Sequence, residues 1–330
     1  MKNTKLYLAT LFLGALTFTS CDKDKDYVGI DAGDDTDFQV VPTADDFNNL
    51  KDDALEDLTQ TLEFNAEDGM TFTSDKGVQL EIFAGCLLLN GVAANGPVEL
   101  QFVEVFDKGD MLTTNKSTMA NADGAVKKPL ETGGEFMISV RQNGVQLTLN
   151  CAMQAIIPGN LTGGVKTDMT LWKGDVENNG DIVWDENEDT GANGGVFGEG
   201  NEYIAFLDEF GWTNVDRFYN DPRPKTTLQV VAPDGYDKDN SAIYLSYDGE
   251  GDLLAQLDTF DPVTNTFSEH YGEIPVGLEM HIIFITEDAG AYRWAIQGVT
   301  VAANDIYTIT YAETVTGTKE QLVAAIQALP

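Results

Sequence analysis

Five oxygen-bearing side chains, Asp175, Glu177, Asn179, Asp181 and Glu186, stand at the spacing of a calcium-binding loop. Such a loop draws ligands from its odd-numbered positions, bends at a glycine in position six and closes on an acid in position twelve. Gly180 supplies the bend and Ile182 an apolar residue just after it. Hard oxygens at every second residue can wrap one calcium ion. Two features pull the other way. The third position is Glu177, longer than the usual Asp or Asn, and the flanks around Leu171–Trp172 and Ile182–Trp184 have the pattern of strands. The same residues also read as a β-hairpin closed by Asn179–Gly180 with solvated acids. The hairpin is preferred, and the calcium loop is carried as the alternative.

Other chemistry is thinly represented. The chain has two histidines, His270 and His281, with no paired spacing for a metal. It contains no Gly-x-Ser-x-Gly elbow for a serine nucleophile. A glycosidase needs only two carboxylates in the right geometry, and 55 acids offer too many choices to name a pair. No catalytic residue is assigned. Asp216 and Arg217 lie among Trp212, Phe218 and Tyr219, so the guanidinium could meet a ligand carboxylate or stack on a sugar. A structural ion pair is the preferred reading. Acidic loops at 185–189 and 234–239 could add oxygen ligands, but solvated acids are ordinary in so acidic a chain.

The N-terminus bears on a third kind of chemistry. Lys2 and Lys5 open it, an apolar run spans Leu6 to Leu16, and the small residues Thr19 and Ser20 precede Cys21. A basic start, a short apolar core and small residues before a break make a secretory signal, too short for a permanent membrane span. Phe18 to Cys21 resembles the lipobox of a bacterial lipoprotein, which makes Cys21 the site of lipid attachment (palmitate among the acyl chains). The acids Asp22, Asp24 and Asp26 just behind it resemble the surface-export signal of Bacteroidota lipoproteins. Residues 1–20 would then be the signal peptide and 21–42 an acidic flexible tether. Cys86 and Cys151 remain, an even number for an oxidising compartment. They could form one disulfide or stay as two buried thiols beside Leu87–Leu89, Leu147 and Leu149.

The net charge of −36 excludes nucleic acid and anionic lipid as direct partners, since both repel it. At 42% hydrophobic content the chain can fill cores. Residues 43–57 read as a helix, with Thr43 as cap, Asp45 and Asp46 in the first turn, and Phe47, Leu50, Ala54 and Leu58 on one face. Beyond Leu58 the apolar period changes to two. Val98, Leu100 and Phe102 alternate cleanly, and Glu135–Arg141 joins Val145–Leu149 through the Asn143–Gly144 turn. Short strands with glycine turns recur to residue 311, and 318–329 reads as an amphipathic helix with Leu322, Ile326 and Leu329 in its stripe. The fold class is all-β and mainly antiparallel: two β-sandwich-like domains with a short N-terminal helix and a C-terminal amphipathic helix. The expected domains are 43–165 and 166–330.

The segments beginning at Gly69, Asp75, Gly96, Asp110 and Gly133 resemble the ZU-like β-domain of Bacteroidota surface lipoproteins, a relative in pattern of the ZU domain of ankyrins and netrin receptors. Leu171–Gly174 and Gly211–Phe218 are similar to the second half of those lipoproteins. The resemblance covers roughly residues 45–330 and implies a β-sandwich scaffold without an established role. Some animal relatives cleave themselves at His-Phe-Ser, a tripeptide this chain lacks, so that activity does not carry over.

The expected function is a non-catalytic lipoprotein of the outer membrane, facing the cell exterior. It would be held to the membrane through Cys21 and would bind a protein or glycan or play a structural part, with no required cofactor. The alternatives are calcium-dependent adhesion through Asp175 to Glu186, and a surface glycoside hydrolase with a carboxylate pair.

Overall fold

The computed structural model describes residues 39–123, 126–177, 179–187 and 195–330. The expected signal peptide, Cys21 and nearly all of the expected 21–42 tether lie outside the described residues, as does part of the acidic loop at 185–189.

The first helix, α1 (Ala44–Asp57), begins where the sequence places it. The Thr43 hydroxyl accepts from the Asp46 backbone N–H, and the Asp46 carboxylate accepts from the Thr43 N–H, so two orphan donors are satisfied at once. Its fully buried stripe is Phe47, Lys51 and Ala54, at helical spacing. Leu50 and Leu58 pack only partly against the same core. A lysine thus stands on the inner face, which hydrophobic periodicity does not reveal.

Among the described residues the rest is all-β apart from two short α-helices, α2 (Lys108–Thr113) and α3 (Lys319–Gln327), and 3-10 turns at Gly159–Thr162 and Tyr311–Glu313. An eight-stranded sheet runs in the order Gln60–Asn65, Pro97–Val105, Val126–Gln142, Gly211–Phe218, Thr170–Val176, Ile182–Glu186, Met119–Ala122, with Val145–Gln146 paired to Val126–Gln142. It faces a five-stranded sheet that contains Met70–Thr73, Gln79–Ile82, Met153–Pro158, Glu202–Leu207 and Gly195–Glu199. Leu80, Phe102, Phe136, Ile157 and Tyr203 fill the space between them. At one end, Thr148–Leu149 pairs with Leu87–Leu89, and Cys86 is disulfide-bonded to Cys151 with Cα atoms 5.4 Å apart.

A second sandwich follows. A four-stranded sheet (Lys225–Val231, Thr259–Asp261, Thr266–Pro275, Asp305–Thr308) packs on a five-stranded sheet (Ser241–Tyr247, Leu254–Gln256, Glu279–Asp288, Ala291–Thr300, Val315–Gly317). Leu228, Val230, Leu245, Ile282 and Phe284 form its core.

The boundary at 165/166 read from the sequence falls inside the first sandwich. Thr170–Val176, Ile182–Glu186 and Gly211–Phe218 complete the sheet that Gln60–Asn65 begins, and Gly211–Phe218 inserts between Val126–Gln142 and Thr170–Val176. The first sandwich therefore ends near residue 218. Pairing across such sequence distances leaves no local mark.

The two sandwiches share a third core. Along Pro97–Val105, Phe102 faces the first core while Val103 and Val105 face the other way. Along Glu279–Asp288, Ile282 and Phe284 face the second core, while Ile283 and Ile285 belong to the same third core as Val103 and Val105. Burial on both faces explains why residues 282–285 are an unbroken apolar run. The three helices cap this middle layer with Phe47, Met111, Leu112, Leu322 and Ile326.

Candidate functional site

Two cavities stand out.

The larger is a cleft of about 730 Å³. The paired strands Met119–Ala122 and Ile182–Glu186 bring Asn121, Asp185 and Glu186 to one wall; Lys225 and Glu273 of the second sandwich form the other. Phe218, Tyr219, Asn220 and Asp221, where the chain crosses between sandwiches, complete it. Pro222 and Pro224 lie in this crossing, where a proline has no N–H to offer a ladder, and the chain bends at Arg223.

The cleft aromatics are fixed from behind. Phe218 meets Trp172 edge-to-face at 5.0 Å, and Tyr219 meets Tyr247 edge-to-face at 5.4 Å. Lys225 lies 5.9 Å over the Tyr219 ring. Burial is the main force lowering the Lys225 pKa. The Tyr219 hydroxyl donates to Asp221, and burial with that carboxylate beside it pushes the phenol up to about 12. Arg223 grips Asp221 through its side chain and backbone N–H, which holds the carboxyl well below the usual carboxylate range. Asn121 donates to Asp185 at 2.8 Å, and Lys128 pairs with Glu273 at 3.5 Å across the junction.

The smaller cavity, about 310 Å³, lies where α1 faces the 177–181 turn. This is the segment with calcium-loop spacing. Asp175 lies opposite Val183 and Glu186 opposite Trp172, so the two acids that would open and close a calcium loop sit at different heights of an antiparallel hairpin. The hairpin closes on itself: Glu177 N–H donates to the Asp181 carbonyl, and Gly180 N–H to the Glu177 carbonyl with φ at +84°. The Asp181 carboxylate accepts from Asn115 and Asn179, both at 2.7 Å. The turn's carbonyls face ammonium groups: Lys51 donates to Asn179 O at 3.4 Å and Lys116 to Gly180 O at 3.1 Å. Among the described residues no three Asp, Glu, His or Cys side chains converge as a metal cluster.

Arg217 pairs with Glu131 at 2.8 Å and with Asp168 at 2.8 Å, in place of the neighbouring Asp216. Strand alternation explains this, since adjacent residues point to opposite faces. Asp216 points inward, is fully buried, and accepts from Asn214 at 2.6 Å. Glu135 lies across from Asn214 in the same buried layer, and neither of its carboxyl oxygens has a hydrogen-bond partner.

Sequence reasoning noted Trp212, Phe218 and Tyr219 but placed no cleft beside them, and it passed over Lys51, Lys116, Lys225 and Glu273. The run Asp221-Pro-Arg-Pro224 was the available signal, because paired prolines punctuate a chain where elements change. No protein-family model matches the chain, and no curated protein matches it either.

Proposed function

We propose that this chain is a non-catalytic surface module, lipid-anchored through Cys21, that binds a glycan in the cleft between its sandwiches. The carrying observation is the cleft's composition. Two aromatic rings held edge-to-face lie among amides, carboxylates and lysines in a space of 730 Å³. Aromatic rings against the apolar faces of a sugar, with polar groups for its hydroxyls, suit a polyhydroxylated ligand.

Binding without hydrolysis is supported by where the unusual acids lie. A general acid needs a raised pKa within reach of the leaving oxygen. Burial raises Glu135 and Asp216 well above the carboxylate range and Glu269 to about 7, yet none of the three is on the cleft wall. Asp221 is on the wall but is held as a carboxylate by Arg223.

A glycan array probed with the full chain is expected to show oligosaccharide binding. Tyr219→Ala should weaken it about tenfold or more, in keeping with loss of a central aromatic anchor. An array without signal from a folded chain, or binding unchanged by Tyr219→Ala, defeats the cleft assignment.

The anchor is tested apart from the ligand. In a Gram-negative host, labelled palmitate should enter the wild-type chain and not Cys21→Ala, and only the wild type should partition with the outer membrane. Equal membrane partitioning of both would overturn the anchor.

A further inference from the structure

We propose that the 310 Å³ cavity between α1 and the 177–181 turn is a second binding site, distinct from the cleft, that takes a small organic monocarboxylate between the ammonium groups of Lys51 and Lys116.

Lysines are almost never fully buried without a charged partner, because an ammonium removed from water loses its hydration. Lys51 is 8% exposed and Lys116 5%. Both line the same cavity, and among the described residues neither has a carboxylate within 4.0 Å. Their positive charges repel one another, which helps to lower Lys116, after burial as the larger cause. Each has one hydrogen bond to a turn carbonyl. An ammonium carries three donors, so each can turn donors toward a ligand. The ammonium groups themselves rest against aromatic faces: Lys51 Nζ lies 4.5 Å over the Phe47 ring and Lys116 Nζ 5.4 Å over the Trp212 ring. The two ammonium groups are the positive charges of this lining in a chain of net charge −36, matched in number by the carboxylates of Asp52 and Glu177.

The surroundings select the anion. Leu55, Val176 and the Trp212 indole give the cavity an apolar wall, and its volume exceeds what a single inorganic ion fills. Asp52 and Glu177 also line the cavity and disfavour a second negative charge on the ligand. One carboxylate on a compact, partly apolar body satisfies both conditions. The turn that resembles a cation loop in sequence would thus serve an anion, because its carbonyls already face the protein's own ammonium groups.

Titration of the full chain by calorimetry with benzoate, acetate and inorganic phosphate tests this. Benzoate is expected to bind with a Kd of about 1 mM or tighter, a range one charged contact and a small apolar face can reach. It should bind more tightly than acetate, and phosphate more weakly than benzoate. Lys51→Met and Lys116→Met should each weaken benzoate about tenfold or more. Lys173→Met, a lysine outside this cavity that pairs with Glu209, should change nothing. The indole N–H signals of the ¹⁵N-labelled wild type give a readout independent of any variant. Trp212 should shift on titration and Trp172, which lies outside this cavity, should not. No binding by a folded wild type, phosphate preferred over benzoate, or affinity indifferent to both lysine substitutions overturns the proposal.

Discussion

Replacing Cys86 and Cys151 by serine is expected to lower the unfolding free energy by about 4 kcal/mol. The bond closes a loop with a sequence separation of 65, and cross-linking a loop of that length removes roughly this much chain entropy from the unfolded state. For a domain of this size the melting temperature should fall on the order of 10 °C. The loss has a local route as well. Asn150 N–H donates to the Cys86 carbonyl, and Leu87–Leu89 pairs with Thr148–Leu149 beside the bond, so this end of the sandwich frays when the tie is cut. Thermal melts of wild type and double variant, with thiol titration of each, measure the effect. A difference under about 1 kcal/mol would show that the bond contributes little.

Acidification should stabilise the protein between pH 7.5 and 5. Glu135 and Asp216 are fully buried in one layer, and burial raises both carboxyls, with mutual repulsion also raising Asp216 and Lys116 opposing the rise at Glu135. A carboxyl whose folded pKa lies above its unfolded value contributes stability that is complete below the unfolded pKa, near 4. That stability is lost as pH rises toward the folded pKa. Carboxylates held low, such as Asp221 and Asp168, act in the opposite sense only below about pH 4, outside this window. Glu135→Gln removes one titrating group while keeping its shape. The variant should gain about 1–3 kcal/mol over wild type at pH 7, and the gain should shrink toward zero near pH 4.5. Denaturant unfolding at several pH values reads this directly. A loss of more than about 1 kcal/mol at pH 7 would mean that Glu135 is ionised and held by Lys116.

What the sequence disclosed follows from which interactions are local. The Thr43 cap and the Asn143–Gly144 turn were readable because a cap needs one side-chain acceptor and a tight hairpin needs positive φ, here 51° and 80°. The run at 282–285 could be read as a strand, but its double burial could not, because that depends on a partner sheet far along the chain. The site resisted for the same reason. Lys116 belongs to an irregular buried stretch, Thr114 to Thr118, with no periodicity to mark it. The cleft depends on Gly211–Phe218 lying inside a sheet that Gln60–Asn65 begins far earlier in the chain. The calcium spacing of Asp175 to Glu186 shows the converse: a local pattern met in one dimension while pairing between strands set its ends apart.

The shared middle core has a practical consequence for anyone dividing this chain. The strands Pro97–Val105 and Glu279–Asp288 each contribute apolar residues to two cores. A fragment ending near residue 218, or one starting there, would present the bare side of a sheet to water and would aggregate or recruit another copy to cover it. Neither half is a portable unit, and recombinant work must keep both together.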